Sequence, residues 1–124
     1  MISPGIGFFM AFTALQSEQI ASMMDAYLDV NRPPRRIRSE LDIGWRIEGQ
    51  TVYVFEIRPR WDDPSIIKQH DFAKATWVDS IKQWRLYWLR GNKKWYRYDP
   101  LPAVGNLQRF LDELKKDPHG CFKG

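Results

Sequence analysis

The stretch Glu56–Trp61, EIRPRW, sets an acid, two arginines, a proline and a tryptophan side by side at the end of a β-rich run. Arg58 and Arg60 each carry a planar fork of donors that fits phosphate in bidentate fashion and also stacks on rings. Trp61 offers a π face to a base. Arg46, Lys74 and Arg85 fall in neighbouring β-rich runs and would extend the same positive surface. Asp42 and Glu56 suit another task, because two carboxylates on one face can hold Mg²⁺ for metal-assisted hydrolysis. The sequence therefore offers anion capture by Arg46, Arg58, Arg60, Trp61, Lys74 and Arg85, or catalysis by Asp42, Glu56 and Lys74 with Mg²⁺ on the two acids. A third reading is structural: acids and bases paired across strands, with exposed aromatics meeting a protein partner or a second copy.

These residues must be positioned by secondary structure. The apolar spacing of Ile20, Met23, Met24, Tyr27 and Leu28 predicts a helix over about Ala14 to Val30. Pro33 and Pro34, in the arginine-rich NRPPRRIR, end it. SELDIGWRI and TVYVFEIRP then read as two strands of a hairpin around EGQ. Leu41, Ile43, Trp45 and Ile47 alternate on the first strand, and Tyr53, Phe55 and Ile57 on the second. Opposed residues share a face, so these two sets meet only if an odd number of residues closes the loop. A three-residue loop with a left-handed glycine is expected. That register gathers Glu40, Asp42 and Arg46 with Glu56 and Arg58 on the other face, beside a notch at Gly44.

After Trp61, Asp62 or Asp63 would cap a short helix from Pro64 to His70. AKATWV, QWRLYWLR and KWYRYD supply three further strands, the last two joined through RGNK. Trp84, Leu86 and Trp88 take one face of the fourth strand, and Arg85, Tyr87 and Leu89 the other. Leu107, Phe110, Leu111 and Leu114 predict a closing helix capped by Asn106 and stopped at Pro118. The expected fold is α+β: an N-terminal helix, a five-stranded, mainly antiparallel meander with a short helix insert, and a C-terminal helix. Residues 1–12 read as a flexible extension and 13–124 as a single domain.

Hydrophobic residues make up 44% of the chain and aromatics 15%, which excludes a disordered polymer. The net charge of +4 is unevenly placed, since three of the 15 acids and none of the 19 Lys and Arg precede Arg32. A basic sheet region suits an anionic partner such as nucleic acid. Cys121 is the single cysteine, so no internal disulfide forms and a cytoplasmic setting is expected. His70 and His119 lack ligand spacing, and no cofactor is expected outside the Mg²⁺ reading. The apolar run Ile6–Phe12 is too short to span a bilayer, so no membrane partner is expected.

EIRPRWDDP, with AKATWV, WRLYW and the terminal GCFKG, resembles an uncharacterised bacterial family, domain of unknown function 3024, from about Leu41 to Gly124. The resemblance implies a small stand-alone domain and no particular activity. It carries over Glu56, Arg58, Arg60, Trp61, Asp62, Asp63 and Lys74. Asp42 followed by Glu56-Ile57-Arg58 on the next strand also resembles the layout of metal-dependent nucleases with an Asp and a Glu-x-Lys. Arginine here stands for lysine and cannot serve as a base near neutral pH, so Lys74 would take that part. Binding of nucleic acid or another anionic ligand through an Arg- and Trp-rich sheet face is the leading expectation. The nuclease-like enzyme and the homodimeric interaction domain are the alternatives.

Overall fold

A computed structural model describes residues 11–123. The extension expected over residues 1–12 therefore falls largely outside the described residues. Helix α1 spans Ala14–Asn31 and begins with a capping box, in which the Thr13 side chain accepts from the Gln16 amide while Gln16 reaches back to the Thr13 amide. After it, Arg35–Ile37 form a single 3₁₀ turn. Strands β1 (Asp42–Glu48), β2 (Thr51–Pro59), β3 (Ile67–Val78), β4 (Gln83–Leu89) and β5 (Trp95–Arg97) follow in an antiparallel meander. A short β6 (Ala103–Val104), which the sequence pattern did not signal, pairs with β4 beyond the end of β5. Helix α2 (Leu107–Lys116) closes the fold, capped by Asn106 and ended by Asp117 in the left-handed conformation. The α+β class, the two helices and the strand order are as expected.

The short helix expected over Pro64–His70 is not formed. Asp63 instead holds a tight turn by accepting from the Ser65 amide and hydroxyl, and Arg60 N–H donates to the Ile66 carbonyl. Ile67 to His70 then continue as β3 against β2. A strand partner outcompetes a helix of barely two turns, which has no apolar stripe of its own.

The first hairpin also departs from expectation. Glu48 pairs with Thr51 and Ile47 with Val52, so only Gly49 and Gln50 form the turn. Gly49 has φ +59°, while Gln50 keeps an ordinary negative φ, the pattern of a type II′ turn with glycine first. This slips the register by one residue and turns every β2 side chain to the opposite face. The valines, not the aromatics, face the core: Ile47, Val52, Ala75 and Leu86 line up across four strands, beside a second row of Trp45, Val54, Ala73 and Trp88. Ile20, Met24 and Tyr27 of α1 and Leu107, Phe110, Leu111 and Leu114 of α2 pack on these rows in one cluster. Tyr98 is fully buried there, and its hydroxyl donates to Glu113 at 2.6 Å, tying the end of β5 to α2. A bulge at Phe72 in β3 lets both Phe72 and Ala73 turn into that core.

Candidate functional site

Both helices lie on one face of the sheet, so the site is sought on the other. There the register builds a single cross-strand row: Arg46 opposes Tyr53, Tyr53 opposes Lys74, Lys74 opposes Tyr87, and Tyr87 opposes Arg97. Cation and ring alternate across five strands. At the usual spacing of about 4.8 Å between strands the row is roughly 19 Å long. Trp95 stands beside it, edge-on to Tyr53 with ring centres 6.0 Å apart. None of Tyr53, Lys74, Tyr87 and Trp95 belongs to the helix-covered core, and all are half-buried.

The cations of the row sit in different electrostatic settings. Arg46 lies 4.2 Å over the Tyr53 ring and grips Asp71 with two hydrogen bonds, Nη1 to Oδ1 at 2.7 Å and Nη2 to Oδ2 at 2.9 Å. It also pairs with Glu48, and these carboxylates, Asp71 above all, raise its pKa further. Arg97 is paired with Asp99 at 2.8 Å. Lys74, at the centre, makes no ion pair among the described residues. Its ammonium lies 4.5 Å from the centre of the Trp95 ring, 5.2 Å from that of Tyr87 and 5.7 Å from that of Tyr53. Burial pulls its pKa below the ordinary value, with Asp71 opposing the shift from a distance. Arg85, exposed and opposite Thr76 in the adjacent row, also lacks an ion pair among the described residues.

The six expected binding residues thus divide into two groups. Arg46, Lys74 and Arg85 come together on the open face. Arg58 does not join them: even-numbered β2 residues face the helix side, and Arg58 lies there at the far end of the strand, 3.2 Å from Glu56. Arg60 and Trp61 stand in the β2–β3 loop, where Arg60 is bound to Asp62 and Trp61 is 95% exposed. Tyr53 was missed as a site residue because its strand was placed in the wrong register. The Gly-first turn at Gly49-Gln50 was the available signal. Tyr87, Trp95 and Arg97 were legible only as one of two alternating faces.

The Mg²⁺ arrangement requires Asp42 and Glu56 on a common face, and the register separates them. Asp42 opposes Ile57 and points to the open side, whereas Glu56 opposes Ile43 on the helix side. Asp42 is also engaged: Arg32 donates to both its oxygens, at 2.9 and 2.6 Å, and the Ile43 amide donates to Oδ1. The Arg32 bond in particular holds the carboxyl below its usual pKa. Its oxygens serve as acceptors within the fold, so the Asp42–Glu56–Lys74 constellation is not assembled. The charged patch expected from Glu40, Asp42, Arg46, Glu56 and Arg58 is split between faces for the same reason. Cys121 packs against the core with its thiol pKa raised, chiefly by burial, which disfavours the reactive thiolate.

No helix among the described residues is long and apolar enough to cross a membrane. A family model described as "Domain of unknown function (DUF3024)" matches residues 12–124. No curated protein and no solved structure matches the chain.

Proposed function

The chain belongs to the DUF3024 family, which prescribes no activity, and we propose from the geometry of its open sheet face that it binds single-stranded nucleic acid. The observation that carries this reading is the alternation of cation and ring along Arg46, Tyr53, Lys74, Tyr87 and Arg97, with Trp95 alongside. Sheets that hold single strands combine ring platforms for bases with cations for the backbone. Lys74 and Arg85 are the cations whose charge is not already balanced by a carboxylate, so they are the backbone contacts. Tyr53, Tyr87 and Trp95 are the platforms. Their polar edges and half-buried bodies suit rings that are fixed by packing yet keep a face for a visitor. Arg46 is a positioning residue: locked to Asp71, it backs the Tyr53 ring.

Fluorescence anisotropy with labelled single-stranded DNA and RNA tests the reading. The expected result is retention without cleavage, with affinity falling steeply as salt rises. Lys74→Ala and Arg85→Ala should each weaken binding and flatten the salt dependence. Indifference to both polymers at low salt, or binding that these two substitutions leave untouched, would overturn it. A concentration-dependent mass together with that indifference would favour the homodimeric interaction domain instead.

A further inference from the structure

The strand end that holds EIRPRW is not absorbed by the sheet-face site, yet it is built with care. β3 runs past the end of β4: Ala73 opposes Trp88 near the close of β4, while Ile67 to Asp71 pair with β2 alone. β1 flanks β2 as far as Ile57, so beyond it Arg58–Pro59 and Ile67–Lys68 extend alone as a short two-stranded ribbon. Its tip is fixed by the Arg60–Asp62 pair, the Asp63–Ser65 turn and the bond from Arg60 N–H to the Ile66 carbonyl. This scaffold holds Trp61 95% exposed, between the paired Arg60 and Asp62. Just behind the tip, Arg58 and Lys68 oppose each other directly. Like charges in that position repel. Glu56 offsets Arg58 from 3.2 Å, but Lys68 has no ion pair among the described residues. Between the sheet row and this tip lies a shallow recess of about 350 Å³, lined by Arg46, Gln69, His70, Asp71, Leu89 and Lys93.

We propose that the ribbon tip is a second contact station for the same ligand, with Trp61 stacking on a base and a backbone phosphate bridging Arg58 and Lys68. This rests on the nucleic-acid reading above and makes the ligand a polymer strand rather than a nucleotide. From Tyr53 to Pro59 the path along β2 is six residues, or about 20 Å at the usual rise. At 3.4 Å per stacked nucleotide that is roughly six nucleotides between stations. The strand leaves the row of rings, passes the recess beside the free edge of β3, and crosses that edge to reach Lys68 and Trp61. A phosphate between Arg58 and Lys68 relieves their repulsion. Joining the two stations through one strand makes the second contact intramolecular, so affinity rises with length up to the span and little beyond it.

The test compares labelled oligothymidylates of four and twelve nucleotides on the full chain and on Trp61→Ala and Lys68→Gln, both substitutions at exposed positions that leave the core intact. The longer strand should bind at least tenfold more tightly to the unaltered chain. Trp61→Ala should remove about a 5- to 150-fold share of that advantage, as loss of one stacked base does, and Lys68→Gln a smaller share. Affinity for the shorter strand, served by the sheet row, should stay the same in both variants. Equal affinity for the two lengths, or a Trp61→Ala variant that holds both as before or loses both alike, overturns the second station while leaving the sheet-face reading in place. Binding of neither length removes both. Trp61-dependent retention on vesicles containing phosphatidylserine, or a Trp61-dependent dimer, without a length advantage for the oligonucleotides, would also overturn it.

Discussion

Arg46 and Asp71 meet across β2 on the open side of the sheet, joined by two parallel hydrogen bonds of 2.7 and 2.9 Å. The pair has two opposite consequences. It anchors a guanidinium that backs the Tyr53 ring, and it places a carboxylate on a face otherwise suited to anions. Asp71→Asn should therefore separate stability from binding. Both partners are partly exposed, at 33% and 25%, so losing the pair should cost only about 1–2 kcal/mol in a urea titration. With one of the two carboxylates around Arg46 neutralised and only Glu48 left to pair it, the face becomes more positive and affinity for single-stranded DNA should rise several-fold at low salt. A lower affinity would show that Arg46 must be held by Asp71 for the site to work.

Lys74 makes the second prediction through its pH dependence. Burial lowers its pKa in the folded chain from the ordinary 10.5. Between the folded value and 10.5 the unfolded chain binds more protons, so stability should rise with pH across that window. Affinity for an anionic strand should fall across the same window, because the contact needs the ammonium. The two curves should thus run in opposite directions. Lys74→Arg, which stays charged throughout, should flatten the decline in affinity. Anisotropy and urea titrations at matched pH values would show whether both trends centre on the same pKa, which nuclear magnetic resonance of the Lys74 side chain would measure directly.

Arg32 and Asp42 hold the end of α1 to the start of β1. Asp42 is 14% exposed in its side chain, and its pKa lies below the usual value, the bond from Arg32 being the largest cause. For a carboxylate with a depressed folded pKa, the added stability is present above the unfolded value and is lost as pH falls through the folded one. Asp42→Asn should cost about 1–3 kcal/mol at neutral pH and should narrow the difference from the unaltered chain at acid pH. If Asp42 instead served Mg²⁺-dependent cleavage, the substitution would abolish a metal-stimulated loss of DNA or RNA. The geometry predicts no change in that assay.

Much of the fold was legible in the chain. The helix stripes at Ile20–Leu28 and Leu107–Leu114 have a period that only one structure satisfies, and the faces of β4 follow from Trp84, Leu86 and Trp88 alternating with Arg85 and Tyr87. The site was harder to see because β2 is apolar on both sides. Val52 and Val54 face the helices, and Tyr53 and Phe55 face outward, so alternation along the strand could not say which set was core. Weighting the larger rings as core chose the wrong parity, and one residue of slip exchanged Tyr53 for Glu56 on the candidate face. The local turn chemistry at Gly49-Gln50 held the correct answer, since a Gly-first two-residue turn matches the twist of a hairpin without an added bulge. β6 escaped notice because two residues carry no periodicity.

Gly44 offers a direct test of that register. It opposes Phe55, and a methyl group built on its Cα would lie 2.8 Å from Phe55 Cε1 and 2.9 Å from Cζ. The Phe55 ring is buried, 5% exposed, and lies beneath Arg46, so it has little room to retreat. Gly44→Ala should therefore destabilise the chain by about 1–3 kcal/mol through overpacking. Phe55→Leu in the same chain should recover part of that loss, because the shortened side chain vacates the space the new methyl needs. A double-mutant cycle measured by urea unfolding isolates the coupling. In the three-residue-loop register Gly44 and Phe55 would point to opposite faces and the coupling would vanish. A coupling near zero would thus return Tyr53 to the core and dismantle the row of cations and rings, whereas a clear favourable coupling fixes Phe55, and Tyr53 two residues before it, on the open side of the sheet.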